Sequence, residues 1–471
     1  MDNFELTNET VKNTFAGKTV FFLLCSIVVW TTLIYGTVHQ PIIALFYVFI
    51  VLIVIFWAVD GFLSGGLRFS KNILQIPLAA IFLYGIIQVI PFGSLAETGG
   101  ISGIPNTISV EPFLTKLTTI HFLALLIFFA ACLVYFDSFK RLRKLVLLIT
   151  IFGFLYSFFA ILQSFLSPQK IYGIYESSSL ARPFGSFVNK HNFAAFINMS
   201  MAVPLGLLFT GSIEKDKRLL YVTAVGLMGI ALLLSGSRGG LVSFLSILFL
   251  LVILTTKNRS KNQIIIKGVL AFVLVAVVIA GSIFIGGESS LTRLAESATS
   301  DNFTSDRMQI WSVTLDVIKN NLPFGAGLGA FGIAYTPYDI SNGMARVEQA
   351  HNDYLETLAN TGVIGLIAGL FFLYGFAKTG LQSINIQNLY RRGVAVGAFA
   401  GCFGILVHSI FDFVLHITAV SVMFLTLLAI LAVSGRKYSD DEEIFVRPRR
   451  KKSGKKANVT SIEERRRNSG K

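Results

Sequence analysis

Apolar runs of roughly 20 residues recur through most of this chain, and they limit its fold more than any other feature. A run of that length forms a helix that crosses about 30 Å of hydrocarbon, and a helix satisfies its own backbone hydrogen bonds where lipid cannot. Only 14% of the residues are charged and the mean hydropathy is +0.68, whereas a soluble protein carries about 25% charged residues. The sequence therefore predicts an all-α, polytopic membrane protein.

Twelve membrane spans are predicted, together with one large outward-facing loop. The spans fall near 19–38, 41–59, 72–91, 117–136, 145–165, 193–211, 219–235, 239–255, 264–285, 355–376, 391–411 and 416–434. The resulting divisions are an N-terminal segment (1–18), spans one to nine (19–285), the large loop (286–352), spans ten to twelve (353–435) and a basic tail (436–471).

The connections between spans alternate in charge, which predicts the orientation. One set carries basic residues such as Arg68, Arg141 and Lys215, and the other set is poor in Lys and Arg. The positive-inside rule places the first set and both termini in the cytoplasm. The loop 286–352 is then on the outer side of the membrane.

Half of the net charge of +14 lies at the C-terminus, since 436–471 carry 13 Lys/Arg and 6 Asp/Glu residues. A basic segment beside a membrane span is typical of attraction to anionic lipid, so membrane lipids are predicted partners and nucleic acid is not. Cys25, Cys132 and Cys402 all lie within apolar runs, and they indicate neither a disulfide framework nor a metal site.

Arg238 lies in "SGSRGG", a turn between two apolar runs that is too short for a loop. Its glycines permit the backbone angles of a tight turn, so the guanidinium is predicted at or just below the outer surface. Either it reaches lipid phosphates by snorkelling, or it forms an anion site inside the bundle, because intramembrane charge is costly and usually marks function.

Within the large loop, "SDRMQIWSVTLDVIKN" predicts an amphipathic helix, with Ser305 or Asp306 as its cap. The predicted apolar face consists of Ile310, Trp311, Leu315 and Ile318. Arg307 lies in the first turn, where a positive charge opposes the helix dipole unless an anion is near. That anion is either a ligand or a neighbouring carboxylate, Asp301 or Asp306.

The segment "NLPFGAGLGAFG" is glycine-rich but has neither the Lys-Ser/Thr of a P-loop nor the strand and helix of a dinucleotide fold. It is interpreted as a structural turn.

His351 opens "HNDYLETLANTGVIG", and with Leu355, Leu358, Gly362 and Gly365 it is predicted to follow one face of a single helix. A histidine exchanges a proton near neutral pH, so on a rigid element it could act as a general base. The alternative is an interfacial, structural histidine. Asn352 and Asp353 either orient His351 or cap the helix.

A further polar group, "HSIFDFVLH", places His408, Asp412 and His416 near the outer end of the eleventh span. These residues either line a site or form a hydrogen-bonded pair that holds two helices together.

The chain resembles the O-antigen ligase and O-antigen polymerase superfamily of bacterial membrane glycosyltransferases over roughly 70–435. The motifs that carry the resemblance are "HNDYLETLANTGVIG", "SGSRGG", "DRMQIW…NLPFGAGLGAF" and "RPFGSFVNKHNFAAF". It implies His351 as the catalytic residue and Arg238 and Arg307 as pyrophosphate ligands. Further candidates for substrate binding are Arg182, His191, Arg346 and Asn352.

The resemblance implies transfer of an undecaprenyl-pyrophosphate-linked glycan onto an acceptor, without a metal or another cofactor. It places this reaction at the periplasmic face of a bacterial plasma membrane, which makes 286–352 the expected catalytic loop. A lipid A–core acceptor makes the protein a ligase, a carrier-linked repeat makes it a polymerase, and a protein side chain makes it an oligosaccharyltransferase. A polysaccharide flippase or transporter is the alternative from a different class, although transporters place ionisable residues nearer the bilayer midplane.

Overall fold

A computed structural model describes residues 14–94, 106–176, 182–256, 265–269, 271–276, 279–280, 301–339 and 346–436. Within 301–339, side chains are described from residue 307 onward. Most of the predicted N-terminal segment (1–18) and nearly all of the basic tail (436–471) lie outside the described residues, as do 286–300 and 340–345 of the large loop.

The described chain is almost entirely helical. Its helices are α1 (Phe15–Leu33), α2 (Gln40–Ser64), α3 (Gln75–Gln88), α4 (Pro112–Tyr135), α5 (Phe139–Leu166), α6 (Lys190–Thr210), α7 (Arg218–Leu234), α8 (Arg238–Thr255), α9 (Ile265–Ala276), α10 (Asp301–Asn321), α11 (Phe331–Tyr335), α12 (Asp353–Ser383), α13 (Leu389–His408) and α14 (Thr418–Ser434). In the described residues the strands are β1 (Lys170–Ile171) and β2 (Tyr175–Glu176), which pair antiparallel.

Nine of the helices in the described ranges are long and apolar enough to cross a membrane by length and composition. The shorter apolar helices α3, α9 and α14 coincide with the three remaining predicted spans. The all-α, polytopic membrane fold is thereby confirmed, and the number of twelve spans stays a prediction.

Helix α6 forms the centre of the bundle, and small residues bring α13 close to it. A Cβ placed on Gly206 would lie 2.5 Å from the Cα of Gly397, so the two backbones are in direct contact. Close approach of this kind is typical of packing between membrane helices. Asn198 of α6 also donates to the carbonyl of Gly240 at 2.8 Å, which fixes the start of α8 against the central helix.

A polar network joins α2, α4 and α5 at the end of the bundle where α1 begins and α2 ends. Arg68 contacts Asp60 at 2.9 Å and Asp137 at 3.0 Å, and Arg141 contacts Asp137 at 3.0 Å. The Tyr135 hydroxyl donates to Asp60 at 2.8 Å. These basic residues, which the sequence offered only as markers of orientation, therefore also hold the helices together.

The large loop folds around a small apolar core of its own. The inward face of α10 is formed by Val313, Thr314, Val317 and Ile318, whereas the side chain of Leu315 is 55% exposed. Of the residues predicted for this face, Leu315 was wrong, whereas Ile318 is buried and Ile310 packs against the core. The helix also begins at Asp301, earlier than the predicted caps.

Helix α12 is not continuous, contrary to the single face predicted from His351 to Gly365. Gly362 has φ +56° and ψ −142°, which breaks the helix there. A Cβ at this position would overlap the carbonyl oxygen of Pro323, and the Val363 amide donates to that oxygen at 2.9 Å.

The glycine-rich segment causes this break. The amides of Ala326 and Gly327 donate to the carbonyls of Ala359 and Asn360 at 2.8 and 3.0 Å, and thereby take acceptors that a continuous helix would use internally. Gln88 of α3 also donates to the Asn360 carbonyl at 2.9 Å. The segment is thus a structural turn against α12, as interpreted from the sequence.

Candidate functional site

A cavity of about 1380 Å³ lies where the large loop meets the α7–α8 turn and the start of α6. Five cationic side chains, two histidines and one carboxylate lie on its described wall. They are Arg182, Lys190, Arg238, Arg307, Arg346, His191, His351 and Glu348. An excess of positive charge in a concave site attracts and concentrates anionic ligands.

The tight turn predicted around Arg238 is present between α7 and α8. Gly236 has φ +63°, and the Ser237 hydroxyl accepts from the Gly240 amide at 3.1 Å and so caps α8. Lys190 donates to the Gly236 carbonyl at 3.1 Å. The capped turn places Arg238 as the exposed first residue of α8, at the cavity wall.

Arg307 lies in the first half of α10 and lines the cavity. Its acidic partner is distant in the sequence. Its guanidinium donates to the carbonyl of Phe411 and, at 3.2 Å, to Asp412. The sequence offered Asp301 or Asp306 for this role, and their side chains lie outside the described residues. Burial lowers the Arg307 pKa and the charge of Asp412 opposes that shift.

Asp412 lies behind the cavity wall with a side chain that is only 2% exposed. One oxygen contacts His351 Nδ1 at 3.2 Å, and the other lies 3.2 Å from Arg307 and 3.7 Å from His191 Nδ1. Burial alone would raise the pKa of Asp412, but the hydrogen bond with His351 and the positive charge of Arg307 outweigh it and hold the pKa well below its usual range. Asp412 is therefore a buried negative charge at neutral pH, beside three of the predicted site residues.

His351 lies in a strained turn immediately before α12. Its φ of +50° is in the left-handed region, which is uncommon for residues other than glycine. The ring packs edge-on against Phe413, with centroids 4.9 Å apart. Because Nδ1 faces Asp412, Nε2 is the nitrogen that can exchange a proton with a molecule in the cavity.

Six of the seven predicted site residues line this one cavity, and Asn352 does not. Asn352 accepts from the amides of Tyr354 and Leu355 at 3.0 Å and donates to the Ile410 carbonyl at 3.0 Å. Of the two roles left open by the sequence, the structure therefore shows capping.

The other predicted residues differ in how they are held at the wall. His191 contacts the Ser237 hydroxyl at 2.9 Å, which ties α6 to the α7–α8 turn. Arg346 contacts Glu348 at 3.3 Å, with both side chains about two-thirds exposed. Arg182 is an exposed residue of the cavity wall.

The residues of "HSIFDFVLH" do not act as one group. Asp412 contacts His351 and Arg307, whereas His416 contacts two carboxylates of α12, and His408 is buried against Gly239 of α8. Sequence reasoning left Asp412 out of the site because its partners come from distant segments. The available signal was an aspartate next to the outer end of a span, where an ionic side chain requires a partner.

Among the described residues, no group of three or more His, Cys, Asp and Glu side chains is arranged to hold a metal ion. The absence of a metal from the reaction stays a prediction of the resemblance.

Fold and cavity together define a multi-pass membrane protein whose loop and helix ends enclose a cationic, histidine-bearing site. Residues 223–370 match the family model described as O-antigen ligase, a stretch that contains Arg238, Arg307 and His351. The match confirms the resemblance to the O-antigen ligase superfamily that the motifs indicate, and it supports a membrane enzyme of the O-antigen ligase or polymerase type. No curated protein matches the chain significantly.

Proposed function

We propose that this enzyme transfers an undecaprenyl-pyrophosphate-linked glycan onto an acceptor hydroxyl, on lipid A–core or a similar glycan, at the periplasmic face of a bacterial plasma membrane. The observation that carries the proposal is the cavity wall, where Arg238 and Arg307 lie in the same cavity as His351. Such a wall suits a pyrophosphate, because arginine binds phosphate through two parallel hydrogen bonds and stays charged.

The reaction assigns one task to each group. His351 Nε2 removes the proton from the acceptor hydroxyl as its oxygen bonds to the anomeric carbon of the donor. The bond from that carbon to the pyrophosphate oxygen breaks, and its electron pair stays on the leaving undecaprenyl pyrophosphate. Arg238 and Arg307 stabilise the negative charge that develops there.

Asp412 supports both sides of this reaction. Through Nδ1 it sets the ring orientation of His351 and stabilises the imidazolium that forms, and through its second oxygen it fixes Arg307 at the wall. One buried carboxylate thereby sets the spacing between the base and one pyrophosphate ligand.

The proposal is tested by adding undecaprenyl-pyrophosphate-linked glycan and lipid A–core to the purified protein in detergent. Glycosylated lipid A–core and free undecaprenyl pyrophosphate are the expected products. Longer carrier-linked glycans that form without lipid A–core would instead identify a polymerase. If neither product forms with folded protein, the transferase assignment is wrong.

In the same assay, Arg238→Lys and Arg307→Lys are each expected to lower transfer by about 10²-fold, the usual effect of removing one donor to a developing negative charge. Lysine keeps the charge but cannot make paired contacts with phosphate. Arg218→Lys, at the opposite end of α7, is the matched control and is expected to keep full activity. Normal activity in both cavity variants would leave lipid snorkelling as the better account of these arginines.

The proposed orientation is tested by single cysteines at exposed positions. Asn320→Cys, on α10, is expected to react with an impermeant thiol reagent in intact spheroplasts, and Glu214→Cys, between α6 and α7, is expected to react only after lysis. The reverse pattern would overturn the periplasmic assignment of the cavity. The parent protein, with its native cysteines, gives the background.

A further inference from the structure

A second cluster of ionisable groups lies beside the His351 turn, outside the set of cavity-lining residues. His416 Nδ1 contacts Asp353 at 2.9 Å, and His416 Nε2 contacts Glu356 at 3.0 Å. The two carboxylate side chains are buried, with exposed fractions of 7% and 3%. Both imidazole nitrogens face carboxylate oxygens, so His416 must carry two protons to donate to both.

This cluster is attached directly to the backbone that precedes His351. The second oxygen of Glu356 accepts from the Ala350 amide at 2.8 Å. Ala350 also accepts from the Trp311 indole at 3.0 Å, so both its amide and its carbonyl are fixed. A left-handed residue persists only where its surroundings hold it, and Glu356 holds the peptide unit on one side of His351.

The same cluster fixes the loop that carries Asp412. Asp353 accepts from the Leu415 amide at 3.2 Å, and the Asp353 amide donates to the Ser409 carbonyl at 3.0 Å. His416 lies four residues after Asp412 on that loop. The segment 409–416 therefore contacts the His351 turn twice, through Asp412 at the ring and through His416 and Glu356 at the backbone.

We propose that Glu356 and His416 are positioning residues that hold the His351 turn so that its ring stays aligned with Asp412 and the cavity. The inference rests on the proposed role of His351 as the base. Neither residue lines the cavity, so each acts through His351 and not by contact with substrate. Loss of the His416 contact would leave two buried carboxylates facing each other and would release the turn.

The test is a double-mutant cycle with Glu356→Gln. This variant keeps the side-chain size, but its single oxygen cannot serve both the Ala350 amide and His416, which contact separate oxygens of Glu356. In the otherwise native protein it is expected to lower kcat by about 10–100-fold, as small misplacements of a catalytic group do, with KM for the donor unchanged. In the His351→Ala background it is expected to cause no further loss, because the group that it positions is absent.

A purely structural role would lower activity by the same factor in both backgrounds, and that result would overturn the positioning role. If folded Glu356→Gln has a normal rate while His351→Ala is inactive, the positioning role is overturned and the proposed function stays intact. A normal rate for His351→Ala itself would refute the proposed base and the positioning role together.

His416→Ala serves as the second arm, and its activity is measured per folded molecule because the variant risks poor folding. It is expected to reproduce the Glu356→Gln loss, and a normal rate in its folded fraction would contradict the role given to His416. Asp60→Asn removes a buried carboxylate at the other end of the bundle. It is expected to lower thermal stability and leave kcat unchanged.

Discussion

A His351→Ala variant is expected to insert, fold and bind the pyrophosphate-linked donor, and to lose turnover by about 10²–10⁴-fold, the usual contribution of a general base. The donor still binds because Arg238 and Arg307 remain in the cavity. Donor binding and single-turnover transfer, measured separately in detergent, check both parts of this expectation.

The pH dependence adds an independent readout. A protonated imidazole cannot accept the acceptor's proton, so the parent enzyme is expected to slow as the pH falls, and the residual activity of His351→Ala is expected to lack that decline. A structural histidine would give a different result, with lower yield or thermal stability but normal turnover in the folded fraction. In that case the base would have to be sought at another cavity residue, such as His191.

Asp412→Asn is expected to lower turnover by a comparable factor, about 10²–10⁴-fold, because an amide cannot stabilise the imidazolium and leaves His351 free to adopt the wrong tautomer. It also removes the carboxylate charge that Arg307 contacts at 3.2 Å. Breaking a buried ion pair from one side typically costs about 3–5 kcal/mol, so a clear fall in melting temperature accompanies the loss of turnover.

The low pKa of Asp412 determines how that stability difference changes with pH. A carboxyl with a lower pKa when folded stabilises the protein above its unfolded pKa, and this contribution is lost as the pH falls toward the folded pKa. The difference in melting temperature between the parent and Asp412→Asn is therefore expected to be largest near neutral pH and to decrease below about pH 4. A gap that stayed constant would mean that the carboxylate charge does not stabilise the fold.

Local features of the sequence predicted much of the architecture and part of the site. The apolar runs located the helices, and the short polar interval around Arg238 located the α7–α8 turn, because both depend on neighbouring residues alone. His351 was recognisable as a candidate because it directly precedes a helix that begins with capping residues.

The contacts that organise the site come from distant segments and were not predictable in the same way. Asp412 meets Arg307 and His351 only after α13 and the large loop have packed together. On the face of α10, Leu315 was assigned incorrectly because Leu315 and Val317 are both apolar, and only the loop's own core selects one of them.

The break at Gly362 also sets how this protein matches the thickness of a bilayer. The 31 residues of α12 would extend roughly 46 Å as one straight helix, far more than the ~30 Å of hydrocarbon that a span must cross. The break leaves 363–383 as the continuous part, which is roughly 32 Å long at 1.5 Å per residue. A segment of that length matches the hydrocarbon thickness without a steep tilt, and the turn that bears His351 lies on the other side of the break.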